Sequence, residues 1–113
     1  MAKQQIVPPP VVAEALAVLG QRVRLGRQER GWSAAELAVR AGVTAPTVRA
    51  AEAGRPGTAS GTLFTLAWLV GVPLFEIDDP VELARLRRTG ERELALLPAR
   101  VVHRQDVEPD ADF

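Results

Sequence analysis

Two helix-start signals lie eleven residues apart in the middle of the sequence, and a glycine separates them. At the first, Ser33 can accept the backbone N–H of Glu36 while the Glu36 carboxylate accepts the N–H of Ser33, which makes a capping box. At the second, Thr44 can cap another helix. Gly42 and Gly54 are suited to ending the two helices. The pattern therefore predicts two short helices joined by a tight turn.

Helices joined by so short a turn must cross steeply, and a close crossing requires a small residue on the first helix where it faces the second. Ala38 meets this requirement. With Gly42 and Val48 it gives a spacing of small residue, turn glycine and aliphatic residue that resembles the helix-turn-helix of the lambda-repressor-like (Xre/Cro) family. The resemblance implies an all-α, five-helix DNA-binding domain whose second helix of the pair enters the major groove.

Hydrophobic periodicity and caps predict three further helices. The first spans about 12–30 and has Leu16, Leu19 and Val23 on one face. A fourth helix is expected at 60–70, with its first residue, Ser60, as the N-cap.

The fifth predicted helix follows the DDP sequence at Asp78 to Pro80. It spans 81–89 and closes at Gly90, and a short piece at 91–97 precedes Pro98.

Composition divides the chain into four parts. We expect a flexible proline-rich arm at 1–11, a helix-turn-helix DNA-binding domain at 12–80, a C-terminal helical extension for dimer and partner contacts at 81–104, and an acidic disordered tail at 105–113. Within the extension, residues 99–104 either pair as a strand or remain extended.

Charge is unevenly distributed although the formal net charge is zero. Residues 1–57 carry Lys3 and seven arginines against four glutamates, and the last eight residues carry four negative charges. A basic N-terminal half suits contact with phosphates, whereas so modest an excess taken alone is typical of a solvated surface. Together with the helix-turn-helix pattern, it favours DNA as the partner.

The resemblance places the DNA-contacting residues on and around the second helix of the pair. Its base-facing residues are Thr44, Ala45, Pro46, Thr47, Arg49 and Ala50. The expected phosphate contacts are Ser33, Arg55, Ser60 and Thr62. Only Arg49 offers a fork for guanine, and the glutamine that often touches phosphate in the family is replaced by Ala34. A helix-turn-helix protein-interaction module that does not bind DNA therefore stays open as an alternative.

Arg27 interrupts the apolar face of the first helix. In the family an arginine here pairs with a glutamate near the end of the recognition helix, which by resemblance is Glu52. The alternative is an exposed arginine at the edge of the apolar stripe.

The order of helix-turn-helix, GTLFTLAWLVGV, DDP, an arginine-rich helix and LPARV resembles the HipB-type antitoxins that accompany HipA-type kinase toxins. That resemblance implies a homodimer that represses its own operon at a palindromic operator and holds the toxin. A free-standing Xre-family repressor is the alternative. The residues expected to contact a partner or a second subunit are Phe64, Trp68, Leu74, Phe75, Ile77 and Phe113. For Trp68, cover by the segment from Val81 onward is equally open.

Residues suited to catalysis are scarce. The chain has no cysteine, its one histidine, His103, lies in the C-terminal extension, and no phosphate loop or metal-ligand spacing occurs. We therefore expect no enzyme, no cofactor and no metal. No apolar run reaches the roughly 18 residues that span a membrane, and the N-terminal stretch lacks the apolar core of a signal peptide. A cytoplasmic protein without membrane contact is expected.

Overall fold

The computed structural model describes residues 7–98, and the secondary structure there consists of five α-helices. Their bounds are α1 Pro10–Glu29, α2 Ala34–Ala41, α3 Ala45–Glu52, α4 Ser60–Leu69 and α5 Pro80–Ala95. The prediction of an all-α, five-helix fold is confirmed. The chain divides into two compact units, of which the first ends at Asp78 and the second begins at Asp79.

The capping box forms as predicted and sets the start of α2. The Ser33 hydroxyl accepts the Glu36 N–H at 3.0 Å, and Glu36 Oε1 accepts the Ser33 N–H at 2.7 Å. This backbone hydrogen bond is the main reason that the pKa of Glu36 is lowered, because it stabilises the carboxylate. At the other end, Gly42 takes a φ of 73°, which is the left-handed conformation that glycine adopts without strain.

Thr44 caps α3. The Thr44 hydroxyl accepts the backbone N–H of Thr47 at 3.3 Å, and the two threonine hydroxyls lie 2.9 Å apart. Pro46 sits within the first turn, where backbone N–H groups have no partner in the helix. The predicted pair of short helices around a tight turn is therefore present.

The first unit packs a single core between α1, α2, α3 and α4. Its fully buried large side chains are Leu37, Leu66, Val23 and Val48, and Ala38, Ala51, Leu63, Ala67 and Val70 complete it. Ala38 is buried, as the close crossing of α2 and α3 requires.

Gly20 on α1 allows a close approach that periodicity did not predict. A Cβ at this position would lie 2.5 Å from the carbonyl oxygens of both Ala51 and Glu52, at the end of α3. Any side chain here would push the two helices apart. Gly20 therefore lets the C-terminal end of α3 rest directly on α1.

One predicted helix start and one predicted cap were wrong. The first helix begins at Pro10 rather than at 12, because proline is well suited to the first position of a helix. Ser60 is not a cap: Ala59 occupies the cap position, has no side chain that can bond, and its carbonyl already accepts the Leu63 N–H at 3.0 Å. Ser60 is instead the first helical residue.

The predicted break at Gly90 was also wrong, since α5 continues through it to Ala95. Arg87 and Glu91 form an ion pair of 2.6 Å that spans the glycine on the helix surface. Such a pair contributes roughly 0.2–0.5 kcal/mol, which offsets part of the glycine penalty of about 1 kcal/mol. The expectations for residues 99–104 and for the tail at 105–113 lie outside the described residues.

Candidate nucleic-acid interface

The outer face of α3 is accessible. Thr44, Pro46 and Arg49 are exposed, while Ala45, Thr47 and Ala50 are half-buried. Arg49 is the longest side chain of this set and the one with a planar donor fork. The two threonine hydroxyls bond to each other, so part of their hydrogen-bonding capacity is already used inside the helix.

An ion pair fixes α3 against α1. Arg27 Nε donates to Glu52 Oε2 at 2.7 Å, and Arg27 Nη2 donates to Oε1 at 3.0 Å, in a two-pronged geometry. The side chains are only 12% and 7% exposed, and a third donation, to the carbonyl of Trp32, completes the guanidinium's contacts. The hydrogen bond to Glu52 raises the pKa of Arg27. These are the two residues that the family resemblance pairs, and together they hold the end of α3 in place.

A pocket of about 460 Å³ opens beside this ion pair. The residues that line it are Arg24, Arg27, Ser33, Ala34, Arg49, Glu52 and Ala53. Glu52 is the one carboxylate among them and is already bonded to Arg27. Arg24 and Arg49 are exposed, and neither forms an ion pair within residues 7–98. The pocket therefore presents two guanidinium groups that are available to a ligand, and its lining contains no free carboxylate that would compete for them.

Arg24 was missed by the sequence analysis. It stands one turn before Arg27 on α1, and this spacing of three places both arginines on the same side of the helix. This spacing could have identified Arg24 as a candidate site residue. What the sequence did not give is that Arg49 of α3 lines the same pocket, because the two residues are 25 positions apart.

A family model described as a helix-turn-helix domain matches residues 18–79, which is more than half of the chain. The chain belongs to the helix-turn-helix domain family. A domain of this family indicates a DNA-binding regulator and is typically not an enzyme. Comparison with curated proteins and with solved structures found no match.

The expected phosphate contacts lie at the ends of helices in the helix-turn-helix domain. Ser33, Arg55 and Ser60 are exposed, and Thr62 is half-buried. Ser33 accepts one bond in its capping box, and its hydroxyl proton stays available for donation. No hydrogen bond to the side chain of Arg55 or Ser60 occurs within residues 7–98, so both can reach a ligand.

Outside the α2–α3 pair, the helix-turn-helix domain exposes three aromatic side chains. Phe64, Trp68 and Phe75 are 42%, 63% and 70% exposed, and Phe64 meets Phe75 edge to face at 6.3 Å between ring centroids. Phe75 sits in a turn closed by an antiparallel bridge from Leu74 to Ile77, and its φ is 57°. Positive φ is unfavourable for a bulky residue, so the backbone conformation that exposes Phe75 costs energy. We call these three residues the aromatic patch. Phe113, also expected in partner contacts, lies outside the described residues.

Among the helices of residues 7–98, none combines the length and the apolar character needed to cross a membrane. In that range no group of three or more His, Cys, Asp or Glu side chains comes together as a metal site would require.

Proposed function

We propose that this protein is a sequence-specific DNA-binding transcriptional regulator that inserts α3 into the major groove. The observation that carries the proposal is the pocket beside α3, where Arg24 and Arg49 are available and Glu52 is already paired. An exposed helix beside unpaired guanidinium groups suits a ligand that combines base edges with phosphates.

The two arginines have different tasks in this proposal. Arg49, on the outer face of α3, donates its fork to O6 and N7 of a guanine. Arg24, on α1, contacts a backbone phosphate at the place where Ala34 provides no glutamine. The other phosphate contacts are the ones expected from the sequence, namely Ser33, Arg55, Ser60 and Thr62.

Readout by a single α3 is modest, because the small side chains of Ala45 and Ala50 offer little beyond contact with thymine methyl groups. A homodimer on a palindromic operator compensates. Two half-sites about 34 Å apart place two copies of α3 in successive turns of the groove, and their binding energies roughly add. The proposed location of the protein is the cytoplasm.

The test is a salt-dependent binding titration. A DNA sequence enriched from a random pool by the full chain is labelled, and its affinity is measured by fluorescence anisotropy at several salt concentrations. We expect the logarithm of the affinity to fall linearly with the logarithm of salt, by about 0.9 for each phosphate contacted. A flat response, or no enriched sequence, would reject DNA binding and favour the protein-interaction module.

Variants separate the two arginines. Arg24→Ala should weaken binding to all sequences about equally and reduce the salt slope by about 1, whereas Arg49→Ala should lose about 1–3 kcal/mol of discrimination at one guanine. Arg22→Ala is the matched control, because Arg22 lies on α1 but does not line this pocket. An equal effect of Arg22→Ala and Arg24→Ala would contradict the assignment of the pocket.

A second candidate function is that of the antitoxin in a type II toxin–antitoxin pair. In that role the dimer represses its own operon and also holds a HipA-like kinase toxin. The aromatic patch favours this candidate, because exposed aromatic side chains concentrate at the anchors of protein interfaces.

Copurification tests the antitoxin function. The chain is expressed with any kinase-like protein encoded beside its gene, and we expect the pair to purify together. Trp68→Ser should release the partner, and Val39→Ser, which changes an exposed apolar residue of α2, should not. If no such neighbour exists, or none binds, the free-standing Xre-family repressor is the remaining form of the proposal.

A further inference from the structure

Helix α5 carries a row of arginines on one face. Arg85, Arg88 and Arg92 are exposed, and at about 100° per residue they fall within an arc of about 60°. We call these three residues the arginine stripe. They extend over about 10 Å of the helix axis, at a rise of about 1.5 Å per residue. By the same spacing, every glutamate of α5 falls outside this arc.

The arginine stripe places like charges next to each other. Arg88 and Arg92 are four residues apart, and Arg85 and Arg88 are three residues apart, which are the spacings at which helix side chains are neighbours. Like charges at these spacings destabilise a helix, whereas a merely solvated helix surface alternates the two signs. Elsewhere α5 does alternate them, as in the 2.6 Å ion pair of Arg87 with Glu91. A polyanion that lay along the stripe would relieve this repulsion.

The guanidinium groups of the stripe are available to such a ligand. Arg88 forms no ion pair and no side-chain hydrogen bond within residues 7–98. Arg85 meets Glu82 at 3.6 Å, and Arg92 meets the Thr89 hydroxyl at 3.4 Å, which are long contacts between exposed groups. Exposed pairs of this kind contribute little stability, so a phosphate can displace them.

The stripe lies opposite the apolar side of α5. Leu83, Leu86 and Leu94 are centred about 170° away from the arginines around the helix axis. A helix that lies in a membrane surface keeps its basic residues close enough to the apolar face to reach the lipid headgroups. Here, insertion of the leucines would lift the arginines off the headgroups by the width of the helix, about 10 Å. The arrangement favours a ligand that meets the arginine face alone.

A DNA backbone fits these features. It presents a continuous line of phosphates, and the planar fork of an arginine matches the geometry of a phosphate group. One strand carries a phosphate about every 3.4 Å along the duplex axis, so a stripe about 10 Å long can reach more than one of them. The helix-turn-helix domain at residues 18–79 independently indicates DNA as a ligand of this chain.

We propose that the arginine stripe is a second DNA contact, which binds backbone phosphates without reading the base sequence. The choice of ligand rests on the proposed function, to which the stripe adds phosphate contacts from the second unit of the chain. Because such contacts are electrostatic, they should raise the affinity for every duplex by about the same factor and steepen its dependence on salt.

The first experiment measures binding of the full chain to a random-sequence duplex by fluorescence anisotropy at several salt concentrations. Arg88→Ala and Arg92→Ala should each lower the affinity roughly five- to tenfold near about 0.1 M salt and reduce the salt slope by about 1. Arg88→Lys keeps the charge and should restore most of the slope. Arg87→Ala is the control matched for net charge, because Arg87 lies outside the stripe and is paired with Glu91. Circular dichroism verifies that α5 persists, as expected for substitutions to alanine.

The outcomes separate this inference from the proposed regulator. Unchanged slopes for Arg88→Ala and Arg92→Ala, with a slope reduced by Arg24→Ala, would overturn the stripe and leave the regulator standing. Reduced slopes without any sequence enriched from a random pool would support the stripe and count against the regulator. Equal losses in Arg87→Ala and Arg88→Ala would overturn the stripe, since the effect would then report net charge alone. Binding to phosphatidylserine vesicles that only Arg88→Ala abolishes, with DNA binding unchanged, would also overturn it.

The second experiment reads the contact directly. Val81 is 60% exposed and falls within the arc of the stripe, whereas Leu86 is 51% exposed and lies across the helix. The chain has no cysteine, so a photoactivatable cross-linker can be attached at Val81→Cys or at Leu86→Cys alone. We expect the Val81→Cys conjugate to cross-link the random-sequence duplex several times more than the Leu86→Cys conjugate does. Equal cross-linking from the two positions would overturn the proposal.

Discussion

The two units of the chain both contain helices with side-chain caps, but they differ in how much of those helices is buried. Both α2 and α5 begin with a side-chain cap, from Ser33 and from Asp79 respectively. In the first unit the capped helices bury a shared core, whereas α5 buries none of its residues. The contrast shows that capping specifies where a helix begins, while packing decides how much of its stability depends on the rest of the molecule.

The largest expected effect comes from the ion pairs. Arg27→Ala leaves Glu52 without its partner in a mostly buried position, so we expect a loss of about 3–5 kcal/mol in the free energy of unfolding. Arg85→Ala removes an exposed partner of Glu82 on α5 and should change the free energy of unfolding by less than about 1 kcal/mol. Urea denaturation followed by circular dichroism measures both. Similar losses in the two variants would remove this distinction between the units.

Leucine truncation gives the next largest contrast. Leu66→Ala empties a fully buried site in α4 and should destabilise the first unit by about 2–5 kcal/mol. Leu86→Ala, on α5, should change the unfolding of dilute, monomeric chain by less than about 0.5 kcal/mol. Denaturation at low protein concentration provides the measurement. A large loss for Leu86→Ala under these conditions would mean that α5 already packs in the monomer.

Two glycines sharpen the comparison because replacing them with alanine should change stability in opposite directions. Gly20→Ala places a methyl group 2.5 Å from two backbone carbonyls and is expected to destabilise the first unit by about 1–3 kcal/mol. Gly90→Ala meets open space and should instead stabilise α5 in the monomer by up to about 1 kcal/mol. Melting temperatures of dilute samples report both. The same sign for both would contradict the close contact at Gly20 or the open space at Gly90.

The smallest expected effect is a pH dependence from the capping box. The folded pKa of Glu36 is lowered, so its stabilising contribution is complete above the ordinary glutamate pKa and is lost as pH falls through the lowered value. Glu36→Gln should remove that part of the acid dependence. The melting temperatures of the two proteins between neutral and acidic pH measure it. An identical acid profile in both would assign the dependence to other carboxylates.

The sequence predicted best where structure is determined locally. The bounds of α2 and α3 follow from side chains that reach three residues along the chain, as at Ser33 and Thr44. The partnership of Arg27 with Glu52 came from a family resemblance, because nothing local connects residues 25 positions apart.

The errors and omissions have non-local or competing causes. At Gly90 the glycine penalty is small enough for neighbouring residues to carry the helix through. Ser60 is a favourable cap residue, but the cap position lies one residue earlier, at Ala59, so Ser60 is already helical. The roles of Gly20 and Arg24 depend on which helix lies opposite, and a single sequence does not specify this.

The small residues on the outer face of α3 have a consequence for engineering. Pro46 and Ala50 belong neither to the buried core nor to the cap of the helix. In the proposed DNA complex, new side chains at these two positions would face the duplex. Under the proposed function, the domain is therefore a favourable starting point for redesigning operator preference.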